Sequence, residues 1–225
     1  MNRTTAIKTA ANVAHPLSLN RSLSGNDNEV QIMSSLVSFS QQAIASTTLM
    51  PQFANMDGVY ICIRPVRADD RERFRQGFEA LSDETRYCRC FNYRNNLTDT
   101  ELDMLCNVDG TPQDVLVALS LDSEGNECES VGGARLVKTY PASATAEMAF
   151  LVTDAWQRRR VGLWLLSSMV DVAREQGIAR LRCYLLPENF KARRLLTRVA
   201  QKTGSQLVID DEGGLLQLDT PASDI

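Results

Sequence analysis

Histidine is nearly absent from this chain of 225 residues; the one it has is His15, close to the N-terminus. A folded core further along would contain no imidazole. That excludes serine–histidine and cysteine–histidine catalysis and any zinc site built on histidine. Cysteine is present but not in a metal or redox pattern. Cys62, Cys88, Cys90, Cys106, Cys128 and Cys183 form no CxxC pair, and no secretory signal pattern is recognisable, so they are expected as reduced thiols of a cytoplasmic protein. Cys88 and Cys90 admit a metal or redox reading, but two small hydrophobes flanking Arg89 is the stronger one. Long apolar runs are lacking: none approaches the ~20 residues of a membrane span, and no membrane partner is expected. Positive charge is not in excess, with 24 Lys and Arg against 28 Asp and Glu and a net charge of −4. A general electrostatic grip on nucleic acid is therefore not expected. No GxGxxG occurs, so Gly132-Gly133 reads as a bulge or close backbone contact. Asp210-Asp211-Glu212-Gly213 lacks the ligand repeat of a calcium loop and reads as a hairpin turn.

What is present is an ordinary globular composition, 44% hydrophobic and 23% charged, distributed unevenly. Residues 1–56 hold thirteen Ser or Thr, no Trp or Tyr, two acids (Asp27 and Glu29) and three bases (Arg3, Lys8 and Arg21). Such a segment has little to bury and reads as a flexible or disordered extension, with a short helix at 30–45 as an option. Its Ser- and Ala-rich, acid-poor character is a faint transit-peptide signal, ranked below a plain extension.

From 57 to 225 the pattern is that of one folded domain. Val59–Arg64 reads as a strand. Asp69 with Glu72 forms a capping-box arrangement before Phe74, Phe78 and Leu81 at helical spacing. Ser82 caps a short helix over 83–90. Thr98 with Glu101 repeats the capping box ahead of Leu102 and Leu105. Strands are predicted at 114–121, 130–138 and 145–152, with a Pro141-containing turn between the last two, so this meander is expected to be antiparallel. Residues 158–176 form the strongest helix, with Val161, Leu165, Met169 and Val172 on one face and Gly177 at its end. A strand at 180–185, a basic helix at 188–202 and strands near 206–209 and 215–218 complete an α+β, mixed α/β domain.

The chemistry concentrates at 150–166, FLVTDAWQRRRVGLWLL, where a strand turns into the start of the long helix. A helix N-terminus carries free N–H groups and the positive end of the dipole, which suits an anion such as pyrophosphate. Arg158, Arg159 and Arg160 at that end oppose the dipole by a few tenths to ~1 kcal/mol. A bound phosphate would compensate; an exposed basic turn is the equal alternative. The last helix carries Lys191, Arg193, Arg194 and Arg198, most of them read as a solvated face. Glu147 interrupts an apolar strand on the face of Ala149 and Leu151. A desolvated carboxylate there would have a raised pKa, fit for a general base; an ion pair with Arg135 across the hairpin is the alternative.

These residues resemble the GNAT superfamily of N-acetyltransferases. Gln157-Arg158-Arg159-Arg160-Val161-Gly162 is similar to its Q/R-x-x-G-x-G/A motif, and Ile63-Arg64-Pro65-Val66-Arg67-Ala68-Asp69-Asp70 to its opening strand and cap. Leu81-Ser82-Asp83-Glu84-Thr85-Arg86-Tyr87 with Phe91 resembles a stretch of the bacterial Pat-like protein-lysine acetyltransferases, and Leu186-Pro187-Glu188-Asn189 also fits. The resemblance implies a central, mostly antiparallel twisted sheet flanked by helices. It implies acetyl-CoA as co-substrate, no metal, and transfer of acetyl to a primary amine, on a small molecule or a protein lysine. The N–H groups of Arg158, Arg159, Arg160, Val161, Gly162 and Leu163 would hold the pyrophosphate. The strand 147–152, with Phe150, Leu151 and Val152, would pair with the pantetheine arm. Gln157 belongs to the same motif, Asn189 would contact the cofactor near its sulfur, and Glu147 would be the base. The sequence departs from the family at Arg160, where the motif has glycine and a bulky side chain would crowd the pyrophosphate while the N–H of a helical residue survives. It departs also at Trp164, where a small residue is usual, and at Leu196, where many relatives have a tyrosine acid. A non-catalytic binding or regulatory module with a degenerate site is the alternative these departures support.

Overall fold

The computed structural model describes residues 50–106, 113–138, 140 and 143–218. Among them lie eight strands and five α-helices. The order is β1 (Gln52–Met56), β2 (Val59–Pro65), α1 (Arg71–Glu79), α2 (Asp83–Cys90), α3 (Asp99–Cys106), β3 (Gln113–Leu121), β4 (Glu127–Lys138), β5 (Thr145–Val152), α4 (Val161–Glu175), β6 (Arg180–Tyr184), α5 (Phe190–Thr203), β7 (Gln206–Asp210) and β8 (Gly213–Gln217). They form one sheet in the order β1-β2-β3-β4-β5-β6-β8-β7. Every neighbouring pair is antiparallel except β5 and β6, which agrees with the mostly antiparallel sheet expected from the sequence.

Helices α4 and α5 cover one face. The predicted stripe Val161, Leu165, Met169 and Val172 is at most 1% exposed and packs with Leu181, Cys183 and Leu196 in the main core. A fully buried Leu or Met contributes about 1.5–3 kcal/mol, so this stripe holds α4 to the sheet. Gly177 ends the helix at φ 68°. Helices α1 to α3 lie on the other face with Phe78 and Leu102 buried. Ser82 caps α2 by accepting from the Thr85 N–H, and Thr98 and Glu101 exchange the two bonds of a capping box.

Two expectations change. Residues 52–56 of the expected extension form β1, the edge strand on β2. Its signal was the pair Asp57-Gly58, at φ 54° and 89°; an Asp-Gly pair with both φ positive is the preferred two-residue hairpin turn. The extension itself and the helix suggested at 30–45 otherwise lie outside the described residues. The cap of the first helical turn is not Asp69, which is exposed, but the buried Asp70, whose carboxylate accepts from the Arg67 N–H at 2.8 Å. Asp70 is busy elsewhere too. All five N–H groups of buried Arg64 are used, two on Asp70 (2.7 and 2.8 Å), two on Glu127 (both 2.6 Å) and one on the Pro65 carbonyl. Burial pushes the Asp70 carboxyl up, but the Arg64 bonds and charge outweigh it and hold it below the usual range. This knot ties β2, the start of α1 and β4 together.

The Gly132-Gly133 expectation is met. The β3–β4 register jumps from Ala118↔Gly132 to Leu119↔Ser130, leaving Val131 as a bulge. A Cβ on Gly132 would stand 2.9 Å from the Leu151 carbonyl oxygen. The 210–213 turn is a hairpin held by Asp210 Oδ1, which accepts from the N–H groups of Glu212 and Gly213. Tyr140 is described, but Thr139, Pro141 and Ala142 are not, so the expected Pro141 turn lies largely outside the described residues.

Candidate active site

Strands β5 and β6 pair over only three residues, Thr145↔Arg180, Ala146↔Leu181 and Glu147↔Arg182. Past Glu147 they part. β6 runs on with β8, while β5 continues to Val152 with β4 on one side and, among the described residues, no strand on the other. This fork leaves one backbone edge of Met148–Val152 available to an extended ligand with amide groups. Phe150, Leu151 and Val152 are all half-buried along it.

β5 leads through a short 3-10 turn, Asp154–Trp156, into the arginine segment. Here the structure corrects the sequence reading. Residues 158–160 are not helical. Arg158 has φ 63° and Arg160 φ 69°, both left-handed, and Arg160 is the N-cap of α4. The usual glycine at position 160 therefore has a conformational reason, and an arginine there is strained, by about 1–2 kcal/mol. Left-handed residues in such a turn gather successive N–H groups to one side, a backbone concavity suited to anions. Among the described residues, no acceptor meets the N–H groups of Arg158 to Leu163, and no carboxylate pairs with the exposed side chains of Arg158 or Arg160. Arg159 lies over the buried Trp156 ring at 5.1 Å. Packing at Gly162 is close: a Cβ there would meet Leu195 Cδ2 at 3.0 Å and Val152 Cγ2 at 3.2 Å, so both side chains would have to give by a few tenths of an ångström.

A polar knot fixes this turn to α2. Asp154 accepts from the Ser82 N–H (2.8 Å), the Ser82 hydroxyl (3.0 Å) and the Thr85 hydroxyl (2.6 Å). Gln157 Nε2 reaches Thr85 Oγ1, Asp154 Oδ1 and the Val152 carbonyl, each at 3.3 Å. Burial pushes the Asp154 carboxyl up, but its bonds from Thr85 and Ser82 hold it below the usual range. The two sequence stretches that carry the resemblance, 81–91 and 154–162, thus interlock. Gln157 acts here as a brace of the turn.

Glu147 sits at the fork, on the face of Ala149 and Leu151, as the alternation predicts. Its side chain is exposed rather than buried. The alternative ion pair with Arg135 does not form among the described residues; Arg135 stands opposite Ala149, one pleat away. Asn189 is half-buried and caps α5, its Oδ1 accepting from the Ala192 N–H at 3.0 Å. Leu196 is fully buried core. Trp164, at the position of a usually small residue, donates from Nε1 to Gln52 Oε1 at 2.9 Å and so anchors β1. Of the α5 bases, Lys191 pairs with Glu84 at 2.9 Å. The six cysteines are free. Burial pushes the Cys62 and Cys183 thiols up to about 12, which keeps them unreactive.

On the face of Glu147, roofed by α1, α2 and α3, lies a cavity of about 360 Å³. Sequence reasoning missed it, because its walls come from five separate stretches. Its floor is the row Val115, Arg135 and Ala149, contributed by β3, β4 and β5. Glu101 in its wall is held by a two-pronged bond from Arg94, which pushes its carboxyl down to about 2.

The chain matches the family model of the acetyltransferase (GNAT) domain over residues 61–201, a range that contains the fork, the arginine turn and the cavity. It is 28% identical over 190 residues to acetyltransferase Pat of Mycolicibacterium smegmatis, covering 84% of this chain and 54% of that protein. It is 30% identical over 125 residues to acetyltransferase PA5475 of Pseudomonas aeruginosa, covering 56% of this chain and 66% of that protein. The chain thus spans about half the length of the first of these relatives and just under two thirds of the second. Among solved structures, the GNAT domain of S. lividans PAT superposes with a TM-score of 0.62 at 28% identity, over 75% of this chain and 96% of that one. The fold is shared as well with yncA of Salmonella typhimurium, solved with its cofactor acetyl-CoA, at 20% identity and a TM-score of 0.50 over 73% and 98% of the two chains. A family model matching well over half of the chain makes this chain a member of the GNAT acetyltransferase family.

Proposed function

We propose that this protein moves an acetyl group from acetyl-CoA to a primary amine, on a small molecule or a protein lysine, by direct attack. The observation that carries the reading is the fork at Glu147, whose β5 edge, unpaired among the described residues, leads through the 154–156 turn into a left-handed turn whose N–H groups meet no acceptor among the described residues. The residues fit the group: the N–H groups of Arg158 to Leu163 suit the pyrophosphate, and the edge of Phe150, Leu151 and Val152 suits the two amides of the pantetheine arm. Acetyl-CoA, when bound, supplies an activated thioester carbonyl. Glu147 accepts the proton of the amine, directly or through one water, and its position at the fork rather than burial qualifies it. The C–N bond forms as the C–S bond breaks. Leu196 offers no proton, so the departing thiolate is protonated by solvent. No metal and no covalent enzyme intermediate enter. A cytoplasmic setting supplies both acetyl-CoA and a reducing environment for six free thiols.

A second reading is favoured by Arg160 and Leu196, a binding module whose site has lost catalysis. Calorimetry with acetyl-CoA and CoA, followed by a thiol-release assay with amine acceptors, separates the two. Micromolar binding with thiol release supports the transferase. Binding without release for any amine supports the module. No binding at millimolar acetyl-CoA overturns both.

A further inference from the structure

The cavity beside Glu147 contains a charge arrangement that amine acetylation does not account for. Three arginines line it, Arg89, Arg94 and Arg135, against one carboxylate, Glu101. Arg94 is spent: both its terminal nitrogens bond Glu101 and its Nε bonds the Asn96 carbonyl. Arg89 and Arg135 have no hydrogen bond or ion pair among the described residues, and Arg135 Nε is buried with no partner. Buried polar groups are normally satisfied, and one that is not calls for an explanation. The two guanidiniums also repel one another. Burial pushes the Arg135 guanidinium below its usual value, Arg89 pushes it further, and only Glu147 opposes them. Burial acts on Arg89 in the same direction.

Two unpaired cations are a poor lining for a site that must admit an ammonium ion, unless the acceptor brings an anion with it. The remaining walls are mostly apolar, with Phe74, Phe78 and Leu105. At about 360 Å³ the space lies at the small-molecule end of ligand cavities. Resting on the acetyl-transfer reading above, we infer that the acceptor is a small amino carboxylate with an apolar side chain, its carboxylate held by Arg89 and Arg135, its side chain among the phenylalanines and its amine turned toward Glu147. Arginine presents a planar pair of donors that matches a carboxylate, and here those donors are already stripped of competing partners.

The test uses the full chain and three probes, phenylalanine, leucine and methionine, each beside its uncharged-carboxyl amide. Calorimetry is run with and without saturating CoA, on the wild type and on Arg89→Met and Arg135→Met. At least one acid should bind roughly 10- to 150-fold more tightly than its amide, the range of a charged hydrogen bond. Both variants should erase that preference, keep wild-type CoA affinity, and melt no lower than wild type, since neither removes a paired charge. Equal binding of acids and amides, or no binding of any acid at 10 mM, overturns the inference. Loss of CoA affinity in either variant also overturns it, by assigning these arginines to the co-substrate. Thiol release with a lysine peptide that is unchanged in both variants would point to a protein acceptor and sink the small-acceptor assignment, while leaving acetyl transfer standing. Discriminating acid binding with no thiol release from acetyl-CoA would do the reverse.

Discussion

Arg160→Gly is the perturbation the structure makes most informative. Arg160 holds φ 69° and ψ −8° as the N-cap of α4, so helix propensity does not apply to it. A left-handed conformation costs a non-glycine residue about 1–2 kcal/mol. Glycine removes that strain but adds about 0.4–1 kcal/mol of unfolded-state entropy. The net is a gain of roughly 0.5–1 kcal/mol. At about 2–4 °C per kcal/mol for a domain of this size, calorimetry should show a rise of roughly 1–4 °C in Tm. Arg160→Ala is the control: it loses the same guanidinium and keeps the strain, so it should melt below the glycine variant by about 1 kcal/mol. If the Arg160 side chain grips pyrophosphate, both variants should bind CoA more weakly, by about 1.5–3 kcal/mol. Equal melting of the Gly and Ala variants would refute the strain argument. Unchanged CoA affinity in both would remove the arginine from the phosphate site, and tighter binding in the glycine variant would make it an obstruction.

Glu147→Gln should lower turnover by roughly 10²–10⁴ and leave acetyl-CoA affinity unchanged; wild-type turnover would hand the base role to another group. Arg64→Leu leaves the buried Asp70 only Arg73 and the Arg67 N–H, and Glu127 only the longer pairs with Arg67 and Arg73, and should destabilise in denaturant unfolding by up to the about 3–5 kcal/mol of a broken buried pair. The Asp70 carboxyl is held below its ordinary value in the folded state, so its contribution to stability is complete above the unfolded value near 4. It should fade as pH falls below that toward the folded pKa, and wild-type unfolding followed from pH 6 to 2 checks the sign. Extending an N-terminal deletion from residue 49 to residue 56 removes β1, with Phe53 and Met56 on the sheet and the Gln52 bonds to Trp164 and Ser168. The longer deletion should melt lower than the shorter by several degrees; equal Tm values would show that β1 contributes nothing.

Local signals were legible in the sequence because their physics is local. The apolar stripe of α4 recurs at helical spacing, and the Ser82 cap and the Thr98–Glu101 box each close within four residues. The strands at 114–121 and 145–152 announce themselves by β-branched and apolar runs. The family pattern added the turn 157–162 and the fork strand, since both are contiguous. The β1 strand was missed for a physical reason of another kind. Five residues in a Ser- and Thr-rich region carry little periodicity, and only the Asp57-Gly58 turn pointed to it. The exposure of Glu147 was misjudged because an apolar strand does not reveal which of its two edges or faces another layer covers.

What the sequence by itself determined is the element order, the mixed α/β class and the family, all of which depend on residues close together in the chain. Tertiary structure alone decided the rest. Asp70 rather than Asp69 became the cap because Arg64 and Glu127, the latter 63 residues from Arg64, converge on it in a space closed to water. Arg160 took a left-handed conformation because the chain must turn from β5 into α4 over so few residues. Arg89 and Arg135 face the same cavity because α2 is laid over the β4–β5 face by the knot at Asp154. Such placements arise when separate elements exclude water between them, and no spacing along the chain encodes that.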